Sequence, residues 1–292
     1  MQTLFDHVRI LLEGVRHMDI RCIVLDMDMT TLGTDKKISP ANREALEYAI
    51  GKGIHVAIAS GRPFSTLPQD VMEIPGIEYA ITSNGAAVYH VPSGTRMLHR
   101  TLEPRAVEKV VEVLRGQPYA CEAFVDSTGY SPADFIADPT QFGAPAYTVK
   151  YLRRTRTPVQ DIHAFMLDHK DRLDSISIIT DSHAISTHLY PLLLRELPDC
   201  YVICSADHLV EIAHRDCGKE AAVRFLAHHL QLNADQFAAF GDGDNDAGML
   251  SWVGEGIAVA NASPACLAAA KHVGLHFSQS AIAHGIYEIL KL

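Results

Sequence analysis

Short apolar runs alternate with amphipathic stretches along most of this chain. Cys22 to Leu25, Ile54 to Ala59 and Glu78 to Thr82 have the length of strands and little internal alternation. Such runs predict strands buried on both faces, as in a parallel sheet with helices on either side. Each ends in small, polar or acidic residues: Asp26, then Ser60-Gly61-Arg62, then Ser83-Asn84-Gly85. Open α/β sheets bind ligands at these carboxyl ends. Between the first two runs, Ser39-Pro40 supplies an N-cap and a first-turn proline for a helix through Lys52, closed by Gly53. Ahead of them, Leu4, Val8, Leu11, Val15 and Met18 recur at steps of four and three residues, one stripe of an amphipathic helix.

From Ala86 the pattern changes. Ala87 to His90 and Arg96 to Arg100, separated by Pro92-Ser93-Gly94, predict a hairpin rather than a strand-helix unit. A helix over Pro104 to Arg115 and a strand over Tyr119 to Val125 follow, then a Pro-, Gly- and Thr-rich stretch over Asp126 to Gln160. Next come a helix over Val159 to His169, a strand over Ser175 to Thr180, a helix over His183 to Glu196, and strands around Tyr201 to Cys204 and Leu209 to Ala213. Strand-helix alternation resumes with a helix from Cys217 to His229, strands at Phe237 to Phe240 and Gly256 to Ala260, and a final helix from Ala281 to Leu292. Mixed order inside an α/β frame predicts an inserted second domain. The 292 residues suit roughly two domains. The expected layout is an N-terminal extension over 1–18, a discontinuous core over 19–86 and 207–292, and an insert over 87–206.

Acidic residues outnumber basic ones by 35 to 25, a net charge of -10 that repels a phosphate backbone or an anionic lipid surface. The densest basic stretch, Arg153-Arg154-Thr155-Arg156, is short, so nucleic acid is not an expected partner. The uncharged stretch Gly256 to Ala270 is broken by Asn261, Ser263 and Pro264 and falls short of the ~20 apolar residues of a membrane span. No membrane partner is expected either. Six cysteines without a C-x-x-C pair point to reduced thiols and a cytoplasmic location.

The acidic residues gather at strand ends. Asp26-Met-Asp28-Met-Thr30 follows the first strand, and Asp242, Asp244 and Asp246 follow Phe237 to Phe240. If those strands are neighbours, up to five carboxylates converge, and like charges so close raise one another's pKa unless a cation neutralises them. Hard oxygen ligands suit Mg²⁺ better than zinc. The run Asp242-x-Asp244-x-Asp246 also begins like a calcium loop, but Ala247 and Val253 stand where an EF-hand needs glycine and glutamate. Taken singly, each aspartate reads more simply as a turn or helix cap. Two clusters, each after an apolar strand, point to chemistry. The histidines include the trio His272, His276 and His284 but no H-E-x-x-H, and they read as surface residues.

In chain order, Asp26-x-Asp28-x-Thr30, Ser60-Gly61-Arg62, Ser83-Asn84-Gly85-Ala86, Lys219 and Gly241-Asp242-Gly-Asp-Asn245-Asp246 resemble the motifs of the haloacid dehalogenase superfamily of phosphotransferases, in particular the Cof-type phosphatases of subfamily IIB. The resemblance begins near Asp19 and implies a Rossmann-like α/β core with a parallel sheet plus an inserted mixed α+β cap of the C2 type. It implies that Asp26 attacks the phosphorus of a phosphate monoester and becomes a phospho-aspartate. Asp28 would then protonate the leaving alkoxide and activate the hydrolytic water. Ser60 would hydrogen-bond a phosphate oxygen, and Lys219 would supply positive charge. Mg²⁺ is the implied cofactor, held by Asp26, the backbone carbonyl of Asp28 and Asp242, with Asp246 binding directly or through water. Thr30, Gly61, Arg62, Asn84 and Asn245 are the implied phosphate- and substrate-binding positions, and Asp244 is a turn residue.

Two positions depart from the family pattern. Met29 stands where the family has glycine and brings a long side chain beside the nucleophile turn; His284 precedes Gly285 where the family often has an acid. Only 31 residues separate Asp28 from Ser60, too few for a large insert there, so the cap is expected after Ser83. A cap in that place would exclude water and choose the leaving group. The expected function is Mg²⁺-dependent hydrolysis of small phosphate monoesters such as sugar phosphates or phosphorylated cofactors. The alternatives are a sugar phosphomutase or other phosphotransferase of the same fold, and a phosphate-ligand-binding protein without turnover, for which Met29 is the argument. The expected partner is a small phosphorylated metabolite; a monomer and a homodimer fit the sequence equally.

Overall fold

The structure, a computed structural model, describes residues 19–292. The amphipathic stripe expected over 1–18 lies outside the described residues. In chain order the strands are β1 (Cys22–Asp26), β2 (His55–Ala59), β3 (Ile77–Thr82), β4 (Ala87–His90), β5 (Thr95–His99), β6 (Ala120–Val125) and β7 (Thr128–Pro132). They continue with β8 (Arg156–Val159), β9 (Leu173–Ile179), β10 (Cys200–Ala206), β11 (Leu209–His214), β12 (Phe237–Gly241), β13 (Glu255–Ala258) and β14 (His272–Val273). Eight strands form one sheet in the order β14-β13-β12-β1-β2-β3-β4-β5, and six form another in the order β10-β11-β9-β6-β7-β8.

The larger sheet is parallel from β14 to β3. The chain runs from β1 to β2 and β3 on one side and later fills the other side with β12, β13 and β14. The order therefore reverses between β1 and β12, where a parallel sheet opens a crevice at its carboxyl edge. Every residue of β1 is buried, because helices cover both faces. Ile23 and Leu25 pack with Ala45, Leu46 and Ala49 of the helix Pro40–Gly51 and with Ile282 and Ile286. Cys22 and Val24 turn the other way, toward Ala222, Val223 and Leu226 of the helix Lys219–Leu230. Each Leu, Ile or Val side chain so buried contributes about 1.5–3 kcal/mol. The first helix starts where expected: the Ser39 hydroxyl accepts from the Asn42 N–H at 3.2 Å.

The smaller sheet is antiparallel except at its β7-β8 edge, and its strands alternate. Cys121, Ala123, Ile176 and Ile178 pack under the helix Pro104–Leu114 through Val107, Val110, Val111 and Leu114. The intervening positions carry Glu122, Ser177 and Glu211, which lie side by side across β6, β9 and β11. One face of this sheet is apolar and covered by helices; the other carries a polar row.

Strand membership shifts both expected boundaries of the insert. β4 and β5 pair antiparallel beyond β3, so the hairpin after Ala86 extends the larger sheet. Ser83, Asn84 and Gly85, all at positive φ, reverse the chain tightly enough for Ala87-Val88-Tyr89 to satisfy the backbone edge of β3. At the other end β11 pairs with β9 and β10, so the smaller sheet continues past residue 206 to His214. The expected break points at 86/87 and 206/207 both fall inside pairings.

Several helices also differ from expectation. Pro191 interrupts the one expected over His183 to Glu196, which becomes Ser182–Ala184, a π-helical turn Ile185–Leu189 and Tyr190–Glu196. A proline ring crowds the preceding turn and offers no N–H, and the wider turn accommodates it. Asp161 caps a helix at Ile162–Asp168, three residues later than expected. The final helix, Ala281–His284, passes into a π-helical turn at Gly285–Ile289 and stops short of Leu292. Ala247–Trp252 and Pro264–Ala269 form helices too short for periodicity to reveal. The stretch Asp126 to Gln160 contains β7, β8 and the helix Val149–Thr155 between them. Among the described residues no helix is long and apolar enough to cross a membrane.

Candidate active site

Asp26 ends β1, and Asp242 follows the end of β12. Leu25 pairs with Phe240, so the two aspartates leave the sheet side by side at the point where strand order reverses. Lys219, at the start of its helix, is 1% exposed and donates to Asp26 Oδ1 and to Asp246 Oδ1, each at 2.6 Å. Asp246 Oδ2 accepts from the backbone N–H groups of Asp242 at 3.1 Å and Gly243 at 3.0 Å. The Thr30 hydroxyl donates to Asp242 Oδ1 at 3.0 Å. Carboxylate oxygens of Asp26, Asp242 and Asp246 all lie within 4.8 Å of one another.

Three carboxylates therefore share one ammonium. Burial pushes the Asp26 carboxyl well above its ordinary range, and the charges of Asp246 and Asp242 add to that against Lys219. Burial, then the charge of Asp246, pushes Asp242 up to about 6. Burial acts against the Lys219 ammonium, but Asp246 and Asp26 outweigh it and hold its pKa above the usual lysine value. A buried set of hard oxygen donors with negative charge in excess fits Mg²⁺. Among the described residues this is the one group of three metal-competent side chains; the histidine trio does not form another. His272 bonds Glu255 at 2.6 Å, and His276 bonds Ser278 at 2.8 Å.

The Asp28 carboxylate stands outside that group. Arg62 grips it in a fork, Nε to Oδ2 at 2.8 Å and Nη2 to Oδ1 at 2.7 Å, and Lys36 donates to Oδ1 at 2.9 Å. Burial works against its charge, but Arg62 and then Lys36 prevail and hold the carboxyl down at about 2. Between Asp28 and Thr30, Met29 has φ +62, and Asn261 Nδ2 donates to its carbonyl at 3.0 Å. Glycine takes this left-handed conformation freely, whereas a side chain costs about 1–2 kcal/mol, which explains glycine at this position of the motif.

Ser60 is buried, and its Oγ accepts from the Arg62 N–H at 3.2 Å. Asn84, at φ +51, meets four partners. Its N–H donates to the Ser60 carbonyl at 3.1 Å, and its carbonyl accepts from the Gly218 N–H at 2.7 Å. Its Nδ2 donates to Glu211 Oε2 at 2.8 Å, and its Oδ1 accepts from Asn245 Nδ2 at 2.9 Å. A Cβ at Gly61 would stand 3.3 Å from that amide nitrogen, tight enough to displace it. Beside Lys219 and Asn245 lies a cavity of about 370 Å³, also lined by Tyr201, Ile203 and Arg224.

All eleven residues singled out in the sequence thus meet at one edge of the larger sheet. Four of those expected against phosphate or substrate bond protein neighbours here: Thr30 meets Asp242, Arg62 meets Asp28, Asn84 meets Glu211 of β11, and Asn245 meets Asn84. Asp244 is exposed and accepts from Ser263, as a turn residue does. Sequence reasoning missed the groups that arrive from the smaller sheet. The Arg62 guanidinium lies 4.9 Å from the Tyr151 ring, and Arg156 lies 5.3 Å from the same ring while forking Glu122 at 2.6 and 3.1 Å. The available signal was a lone carboxylate inside an otherwise apolar strand: Glu122 in Ala-Cys-Glu-Ala-Phe-Val and Glu211 in Leu-Val-Glu-Ile-Ala.

A profile of the haloacid dehalogenase-like hydrolases matches residues 23–286. The chain is 29% identical to an HMP-PP phosphatase of Cronobacter sakazakii, over 89% of this chain and 92% of that one. It is 25% identical to the phosphatase YwpJ of Bacillus subtilis, over 93% of this chain and 100% of that one. A solved haloacid dehalogenase-like hydrolase of Bacteroides thetaiotaomicron superimposes with a TM-score of 0.76 at 23% identity, over 92% of this chain and 99% of that one. A sugar phosphatase of subclass IIB gives 0.78 at 17%, over 92% and 98%. At such identities the two structures show a shared fold.

Proposed function

The chain belongs to the haloacid dehalogenase-like hydrolase family, and from that premise we propose a phosphatase of small phosphate monoesters with Asp26 as its nucleophile. The observation that carries this reading is the buried set of Asp26, Asp246 and Lys219 beside Asp242, with its surplus of negative charge. An Asp26 oxygen attacks phosphorus, the bond from phosphorus to the ester oxygen breaks, and the departing alkoxide takes a proton from Asp28. A water then attacks the phospho-aspartate, Asp28 takes its proton, and inorganic phosphate leaves with Asp26 restored. Arg62 and Lys36 hold Asp28 as the carboxylate that this second step requires. An arriving phosphate competes for the Arg62 fork and so loosens Asp28 for the first step. The Lys219 ammonium orients Asp26 and offsets charge on the phosphoryl oxygens, and Ser60 hydrogen-bonds one of them.

Asp26, Asp242 and the Asp28 carbonyl would hold Mg²⁺. Asp246 has both oxygens engaged, by Lys219 and by two backbone N–H groups, which supports a role through water. The ion supplies charge neutralisation between nucleophile and phosphoryl group when bound. The smaller sheet serves as a cap whose polar face roofs the site, excludes water and chooses the leaving group. The names of the relatives, an HMP-PP phosphatase and a sugar phosphatase, support phosphorylated cofactors and sugar phosphates as the substrate class. Six free thiols support a reducing cytoplasm.

Phosphate release from p-nitrophenyl phosphate and a panel of phosphorylated metabolites tests the reading. Turnover is expected with Mg²⁺, without a bisphosphate activator, and should stop with EDTA. Asp26→Asn should lower it by at least about a thousandfold. A folded wild type that releases no phosphate across the panel, or an Asp26→Asn variant that keeps turning over, overturns it.

A further inference from the structure

The two buried glutamates of the smaller sheet are balanced differently. Glu122 has the Arg156 fork and the Ser131 hydroxyl. Glu211 has no ion-pair partner among the described residues; it accepts from the amide of Asn84 at 2.8 Å. A buried carboxylate without a counter-charge is costly, and it sits where the smaller sheet touches the residues 60–62 loop: a Cβ on Gly61 would lie 3.4 Å from Glu211 Oε2.

The geometry shows what this group constrains. A primary amide has two ends of nearly equal size, and its neighbours decide which way it faces. An ionised glutamate can only accept, so it draws Asn84 Nδ2 toward itself, and Asn84 Oδ1 is left to accept from Asn245 Nδ2. Asn245 directly precedes Asp246, whose carboxylate ties Lys219 to the Asp242 and Gly243 backbone. The Asn84 backbone meanwhile holds Ser60 and Gly218. A line of hydrogen bonds thus runs from a strand of the smaller sheet to the acidic loop.

We propose that Glu211 is a positioning residue: it fixes the Asn84 amide and, through Asn245, the Asp242–Asp246 loop, so that the metal- and phosphate-binding groups align when the cap is seated. The proposal rests on the reading of that loop as the Mg²⁺ site. It ties cap position to site order through two side-chain amides.

Four proteins test it: Glu211→Ala, Glu211→Gln, Asn84→Ala and the double variant Glu211→Ala/Asn84→Ala. The readouts are Mn²⁺ binding without substrate, followed by electron paramagnetic resonance, and kcat and KM for p-nitrophenyl phosphate. Glu211→Ala should weaken Mn²⁺ binding and lower kcat/KM by about tenfold, mainly through kcat. Glu211→Gln, whose amide oxygen still accepts from Asn84, should stay within about threefold of wild type. The double variant should be no worse than the poorer single variant, because both break one line. Normal Mn²⁺ binding in a folded Glu211→Ala, equal damage in the Gln and Ala variants, or additive losses would each overturn the assignment. If Glu211→Ala does not fold, unchanged Mn²⁺ binding in Asn84→Ala does the same. A wild type that hydrolyses no ester while the Mn²⁺ pattern holds would sink the phosphatase reading and leave Glu211 in its role.

Discussion

Both sheets bury carboxylates where they face each other, yet only one cluster is balanced. In the smaller sheet Glu122 receives two bonds from Arg156 and one from Ser131, and the Phe124 ring, 5.0 Å from the guanidinium, helps enclose the pair. That pair calls for no further ligand, although Glu211 of the same sheet has an amide partner and no counter-charge among the described residues. In the larger sheet Asp26, Asp242 and Asp246 share Lys219, and the pKa values of Asp26 and Asp242 rise in consequence of burial and crowding. A satisfied buried pair is a structural device, whereas an under-compensated one marks where a cation or substrate belongs. The sheets' construction suits these roles. A parallel sheet with helices on both faces leaves only its carboxyl edge for chemistry, while an antiparallel sheet has a whole face to present.

Removing the cation from each cluster tests the contrast most severely. Lys219→Met leaves Asp26 and Asp246 without their shared partner and should cost about 3–5 kcal/mol in urea unfolding. Added Mg²⁺ should recover part of that, since a ligand bound only by the folded state raises its stability. A loss unaffected by Mg²⁺ would place the cation elsewhere. Arg156→Met strands one carboxylate rather than two and should cost about 3 kcal/mol, with no recovery on adding Mg²⁺. Recovery there would erase the distinction between the sheets.

The smallest effect concerns Glu211, whose pKa burial raises above the ordinary glutamate value of 4.5. Below that value the carboxyl is protonated folded or unfolded, and its titration costs no stability. Between 4.5 and the raised folded value the folded state binds more protons, so wild-type stability falls as pH rises. Glu211→Gln lacks this loss. Its melting temperature should match wild type near pH 4 and exceed it near pH 8. Scanning calorimetry across that range decides it; a gap that shrinks with rising pH contradicts the assigned shift.

The larger sheet was legible because its local signals agree with its tertiary role. β1 and β2 are apolar runs buried on both faces, and Ser39-Pro40 starts a helix by chemistry that needs no distant partner. The acidic motifs sit at strand ends, where spacing along the chain maps onto proximity in space. The smaller sheet was less legible. Its strands carry polar residues on alternate positions, and whether Glu122 and Glu211 are exposed or buried depends on the other sheet. Tyr151 could not be placed from sequence, because its helix lies in the stretch between β7 and β8 that follows no period. The boundary at Ala86 was misplaced for a related reason: a hairpin looks the same from sequence whether it joins the sheet before it or the one after.

Both junctions of the insert are anchored to one short stretch of the core. The Arg100 N–H donates to the Ala86 carbonyl at 2.7 Å where the chain leaves, and the Gly218 N–H donates to the Asn84 carbonyl at 2.7 Å where it returns. In polymer terms the whole insert is a loop whose ends the core already holds together, and doubling such a loop costs only about 0.6 kcal/mol in closure entropy. The segment can therefore be lengthened, trimmed or replaced as a cassette while residues 84–86 and 218–219 stay fixed, without disturbing the buried acidic cluster.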